Sequence, residues 1–159
     1  MGPVGHGLVA LGVGAAVWAA TGSKKAIPAA VATGVLNDTD HLYDFYRWHV
    51  KDEPDREHVY LWFHAWEYSL SALLLIPSVR RNPVLLAAAL GHLSHMFGDH
   101  FGNKPAHPLS YSVLFRASQG FRHDALFEGE VDDLNGIMDH NIPLWKYIEP
   151  VLKPFVPWL

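Results

Sequence analysis

The sequence predicts an all-α fold: an up-and-down bundle of four membrane helices with a short-helix and loop extension at the C-terminus. Three observations lead there. Half of the 159 residues are apolar and only 18% are charged, below the roughly 25% usual in soluble domains. Four apolar stretches are long enough to be helices. The basic pairs Lys24/Lys25 and Arg80/Arg81 follow the first and third of these stretches rather than preceding them. A chain of this length forms one domain with a real core. Residues 1–159 are therefore read as a single helical unit, with 1–101 the four-helix core and 102–159 the extension.

The first helix is expected from Val4 to Ala20, an uncharged run about the length of a short membrane span. A secretory signal would carry Lys or Arg ahead of such a run, and none is present, so a retained helix is the better reading. Gly7, Gly12 and Gly14 weaken a helix in water but allow close approach of helices within a bilayer. After a tight turn at Thr21 to Lys25, the second helix runs from Ala26 to Leu36, with Pro28 tolerated in its first turn. It ends at Asn37-Asp38-Thr39-Asp40-His41, followed by an amphipathic aromatic segment, Leu42 to Trp48, and a charged loop, Lys51 to Glu57. The third helix is placed from about His58 to Val79, with His64 and Glu67 on one face. The fourth spans about Val84 to Phe101. Beyond it come a Pro-broken loop (Asn103 to Pro108), a short helix within Ser110 to Phe121, an acidic segment (Glu128 to Asn141) and an aromatic amphipathic tail (Pro143 to Leu159).

Alternating helix direction brings His6, the Asp38/Asp40/His41 group, His64/Glu67 and the His92/His95/Asp99 group to one end of the bundle. Both basic pairs fall at the other. His92, His95 and Asp99 lie within about 60° of one another on a helix surface. A plain His–Asp hydrogen bond would account for His95 and Asp99 alone, and Asp38 to His41 alone could be a helix-ending turn. Convergence of all four segments favours a metal site, because buried polar groups are costly unless bonded or ligated. The chain has no Cys, so the ligands must be His and carboxylate, which suits Zn, Mn or Fe. His92 and His41 are read as supporting ligands from behind. Arg116 and Arg122 offer guanidinium forks suited to phosphate or carboxylate, weighed against anchoring a surface helix. A net charge of −4 and the lack of a basic stripe argue against nucleic acid. The basic end should be cytoplasmic and the His-rich end non-cytoplasmic.

The order of motifs resembles a known family. It runs from an N-terminal His (His6) to D-x-D-H (Asp38 to His41) and H-x-W-E (His64 to Glu67). G-x-x-x-H-x-x-x-D (Gly91 to Asp99), Asn103 and Y-x-x-x-x-R (Tyr111 to Arg116) complete it. It is similar to the membrane-bound metal-dependent hydrolases of the LexA-regulated inner-membrane type, a family distantly similar to zinc-dependent phospholipase C. The similarity covers roughly His6 to Phe121. It implies His6, Asp38, Asp40, His64, His95 and Asp99 as the metal set, with His41 the histidine that often follows the acidic pair. Many members have Ser where this chain has Ala65, and Glu67 belongs to a subset. The resemblance further implies a bacterial-type inner membrane and hydrolysis of a phosphate ester or lipid-like substrate by metal-activated water. Zinc is then the leading metal, with Glu67 or Asp40 as general base. Two other readings stand beside it. One is a non-catalytic subunit whose tail (Trp145, Tyr147, Phe155, Trp158) docks a membrane-protein partner. The other is a soluble metal-binding bundle.

Overall fold

A computed structural model of the protein describes residues 2–47, 58–103, 105–128 and 145–154. The described residues are mostly helical, with only isolated bridges at His58–Arg122 and Pro105–Phe127. The helices are α1 (Pro3–Thr21), α2 (Ala26–Leu36), a 3-10 turn (Asn37–Asp40), α3 (His41–Phe45), α4 (Trp66–Leu75), α5 (Pro77–Arg81), α6 (Pro83–Gly102), α7 (Val113–Ser118), α8 (His123–Leu126) and α9 (Trp145–Leu152). Trp48, the charged loop at 51–57, the acidic segment beyond Glu128, and Phe155 and Trp158 of the tail lie outside the described residues.

Helix α1 begins on Pro3, whose missing N–H is not needed in a first turn. It ends at Gly22, which adopts φ 74° and donates its N–H to the Trp18 carbonyl. Helix α2 does not stop at an acidic turn as expected. Asn37 and His41 keep right-handed helical backbone angles, so one helical path runs from 26 to 45, tightened to 3-10 geometry over Asn37–Asp40. Tightening brings residues three apart onto one side, and Asn37 and Asp40 are both buried. At the start of α6 the Asn82 carbonyl oxygen accepts from Val84 N (2.9 Å) and Leu85 N (3.3 Å).

The third helix departs from expectation. Residues 58–65 are not helical, Leu61 has φ 46°, and α4 begins only at Trp66. Pro77 then forces the preceding Ile76 into an extended conformation (φ −111°, ψ 95°), which separates α4 from α5. His64 and Glu67 therefore do not share a helix face. The main contacts among the described residues do not close four helices on one another. Helices α1, α2 and α6 pack against each other, while α4 rests on α6.

The three-helix contact is built from small side chains. Ala10, Ala26, Ala30 and Ala87 are fully buried. A Cβ on Gly91 would lie 2.3 Å from the Ala30 carbonyl oxygen, and one on Gly34 would lie 2.4 Å from Ala10 Cβ. Thr33 Oγ1 donates to the Ala88 carbonyl across the seam at 2.7 Å. Such close backbone approach is how helices associate where apolar burial gives little drive. A second cluster (Val59, Leu61, Met96, Tyr111, Leu126) lies beneath the 58–65 segment. It joins residues 105–127 to the second half of α6, so the extension covers the bundle end that carries the histidines.

Gly91→Ala should lower the thermal midpoint, by the equivalent of about 1–3 kcal/mol, because the rigid Ala30 backbone cannot give way. Gly12→Ala meets nothing within 4 Å and should raise it by up to about 1 kcal/mol. Thermal unfolding of the two purified variants tests the pair.

Candidate metal centre

Each helix reaches the site with a different part of its length. His6 comes from the first turns of α1, Asp38 and Asp40 from the 3-10 turn after α2, and His95 and Asp99 from one face of α6 four residues apart. His64 comes from the irregular segment before α4. His6, Asp40, His64, His95 and Asp99 are buried, and the Asp38 side chain is 24% exposed. Lys24/Lys25 follow the other end of α1, and Arg80/Arg81 close α5.

The hydrogen bonds fix which nitrogen of each ring faces inward. His95 Nδ1 lies 2.8 Å from the Gly34 carbonyl. A carbonyl only accepts, so Nδ1 carries the proton and Nε2 presents a lone pair. His64 Nδ1 lies 3.0 Å from Asp40 Oδ2, which leaves its Nε2 lone pair free in the same way. These two Nε2 atoms face each other at 2.9 Å. Asp99 Oδ2 is 3.0 Å from His95 Nε2 and 3.2 Å from His64 Nε2, and Asp38 Oδ1 is 3.4 and 3.5 Å from them. His6 stacks on His95 with centroids 3.7 Å apart and sets its Nε2 2.9 Å from Asp99 Oδ1.

With His64 and His95 neutral in these tautomers, their Nε2 atoms and the facing carboxylate oxygens are all acceptors, which places a demand for positive charge at their centre. Burial alone would lower the pKa of His64, but hydrogen bonds with Asp38, Asp40 and Asp99 overcome it and hold the ring well above the usual imidazole range. Burial likewise works to raise Asp38 and Asp40, yet the His64 hydrogen bond keeps both below the ordinary carboxylate value. A metal ion meets the same demand. Ligands about 2.0–2.2 Å from zinc stand roughly 3–3.5 Å from one another, the spacing found. His6, Asp38, His95 and Asp99 can hold an ion together, and Asp38 also groups with His41 and His64. Buried Asp38 Oδ2 has no other partner.

Several expected roles move. Asp40 Oδ2 accepts from the Phe63 N–H (2.7 Å) and lies behind His64 Nδ1 (3.0 Å), so this oxygen orients a ligand, while the buried Oδ1 has no hydrogen-bond partner. Glu67 turns away altogether. Its carboxylate accepts from Ser112 Oγ and, at 3.2 and 3.4 Å, from the N–H groups of Val113 and Leu114 at the start of α7. His92 braces the segment next to the site, bonded to Ser69 Oγ (3.2 Å) and the Phe63 carbonyl (2.9 Å). His41, its side chain 51% exposed, lies at the open side 3.8 Å from Asp38 Oδ1 instead of behind a ligand. Arg116 is fully buried on backbone carbonyls, and exposed Arg122 forms a fork with Asp124.

Asp44 was not anticipated. It is 1% exposed and accepts from the N–H groups of Tyr60 and Leu61 at 3.1 and 3.3 Å. The available signal was its position four residues after Asp40, on the same helical side. Comparison of the chain with family models, curated proteins and solved structures gives no match.

Two outcomes follow from this geometry. Alanine at His95 or Asp99 should abolish metal binding. Asp40→Asn should weaken it about 10- to 100-fold while leaving the stoichiometry intact; metal analysis and competition titration read both. Burial raises the Asp44 carboxyl from 3.8 to about 6, so the folded protein holds this proton more tightly than the unfolded chain. As pH falls from 6 to 4, the wild type should gain on Asp44→Asn by up to about 3 kcal/mol. Thermal midpoints of the two proteins across that range check the sign.

Proposed function

We propose that the protein is a membrane-embedded, metal-dependent hydrolase of a phosphate ester or related lipid-like substrate. The observation that carries the metal is the meeting of two imidazole Nε2 lone pairs with the Asp38 and Asp99 carboxylates. Imidazole and carboxylate donors fit zinc, and the same set serves Mn or Fe. A divalent ion held there supplies Lewis acidity and lowers the pKa of a coordinated water towards neutrality. The chain's own residues do the rest. Gly34 and Asp40 fix two rings in the ligating tautomer, and partly exposed Asp38 marks the side from which substrate and water arrive. His41 at that mouth is within reach of a substrate oxygen. The reaction class follows the motif resemblance and the donor set.

Membrane residence has its own support. Helix α1 is long and apolar enough to cross a bilayer, and only 22% of its apolar window is buried. Leu8 and Leu11 on α1, Leu70 and Leu74 on α4, and Leu85 on α6 are exposed. An apolar surface of this extent is covered by lipid or by protein. Exposed Tyr43, Tyr46, Trp62 and Phe63 gather near the metal end, while Trp18 lies towards the Lys24/Lys25 end, as interfacial aromatics do. Basic residues at that second end orient it to the cytoplasm and the metal end to the outer side of a bacterial-type inner membrane. One observation favours the second reading, an accessory subunit with a structural cluster. In α9, Tyr147, Ile148 and Val151 present an exposed apolar face to a partner.

Metal content of the detergent-purified protein, with hydrolysis of a chromogenic phosphate diester and of phosphatidic acid vesicles, tests the proposal. Bound metal near stoichiometry and turnover abolished by chelation are expected. His41→Ala should keep the metal and lose at least about a hundredfold in rate, the low end of what one positioned catalytic side chain contributes. A fully folded, metal-free sample would overturn the reading.

A further inference from the structure

Arg116 is the largest fully buried side chain among the described residues, and no carboxylate there lies within ion-pair distance of it. Burying a guanidinium without a paired anion is costly, so what its nitrogens hold is informative. One terminal nitrogen donates to the Leu61 carbonyl at 2.9 Å and the other to the His64 carbonyl. Those carbonyls are the two ends of a four-residue turn that His64 N closes on Leu61 O at 3.0 Å. Leu61 within it takes φ 46°, a left-handed conformation unfavourable for a branched side chain. Without an outside hold, the turn would relax towards negative φ and carry the His64 ring with it.

The element that bears Arg116 is itself fixed to the same segment. Glu67 and Ser112 secure the start of α7. At its other end the Phe121 N–H bonds to the Arg116 carbonyl at 2.8 Å, and the Phe121 carbonyl accepts from Val59 N at 2.9 Å. The guanidinium is sealed from solvent, with one carbonyl bonded at each terminal nitrogen and Nε without a hydrogen-bond partner. We propose that Arg116 is the positioning residue of the metal centre: its fork spans the Leu61–His64 turn and sets where His64 Nε2 points. This rests on the metal reading above and adds the device that keeps a ligand carried on irregular backbone in register with those on α6.

The test compares wild type, Arg116→Lys and Arg116→Gln for zinc affinity, by competition with a chromophoric chelator, and for the visible spectrum with cobalt(II) as a stand-in. Arg116→Gln should bind zinc about 10- to 100-fold more weakly, with an altered cobalt band at saturation. Arg116→Lys, which keeps the charge but not the fork, should recover part of the affinity. A merely structural Arg116 would lower the thermal midpoint and leave affinity and spectrum at wild-type values, and that result overturns the proposal. If Arg116→Gln does not fold, Ser112→Ala loosens α7 with Arg116 in place. It should shift affinity in the same direction by less, and an unchanged affinity again overturns the proposal. A wild type that takes up neither metal overturns the metal reading and this proposal with it, which separates the two failures.

Discussion

The backbone between Tyr60 and Ala65 runs through a buried region without forming helix or strand, so its polar groups need partners from elsewhere. Asp44 takes the N–H groups of Tyr60 and Leu61, and Asp40 takes that of Phe63. His92 donates to the Phe63 carbonyl, and Arg116 to those of Leu61 and His64. Trp66 N reaches the Tyr111 carbonyl at 3.1 Å. Four side chains, one each from the 3-10 turn, α3, α6 and α7, thus do for this segment what a ladder of backbone bonds does in regular structure. The result is a histidine placed by one local turn and by tertiary contacts, facing one placed by a helix.

Charge makes that arrangement demanding. Asp40, Asp44 and Asp99 are buried and Asp38 is partly so, while the buried cations nearby are Arg116 and Arg47, whose guanidinium lies 4.7 Å from the centre of the Tyr60 ring. Two guanidinium charges leave two of the four carboxylate charges unanswered if the histidines are neutral. A single divalent ion between the His64 and His95 rings would close the difference. Protons on the imidazoles are the other way to supply positive charge, which is why the carboxylates hold His64 so strongly towards its protonated form. Metal and proton compete for the same lone pair, so binding an ion there releases protons.

Much of this was legible in the sequence, for identifiable reasons. Helices α1 and α6 are apolar runs bounded by Gly22, Asn82 and Pro83, residues with strong local preferences. Asp38, His64, His95, Asp99 and His6 emerged because helix direction alternates along the chain. The segment from His58 to Ala65 was misread because its aromatic and aliphatic residues fit a helix as well as they fit a buried loop. What decides against the helix is Asp44 and Arg116, 17 and 55 residues from Leu61, beyond any local pattern. The roles of Asp40 and Glu67 were hidden likewise. Each is a carboxylate of the right type near the right place, but its partner is fixed by packing: the back of His64 for one and the start of α7 for the other.

Gly34 shows how tightly fold and site are joined. Its lack of a side chain lets α1 come close enough for Ala10 to occupy the space, and its carbonyl holds His95 Nδ1. The same seam carries the Thr33 hydrogen bond to Ala88 and the contact at Gly91. In a bilayer, Gly and Ala gain little by leaving lipid, so this association depends on close fit and polar contacts. At the open end of the bundle, those contacts are the cluster itself. His6 on α1, Asp38 at the end of α2 and Asp99 on α6 meet around one point, so an ion bound there ties the three packed helices together where the small-residue seam ends. Ion binding and helix packing would then draw on the same atoms.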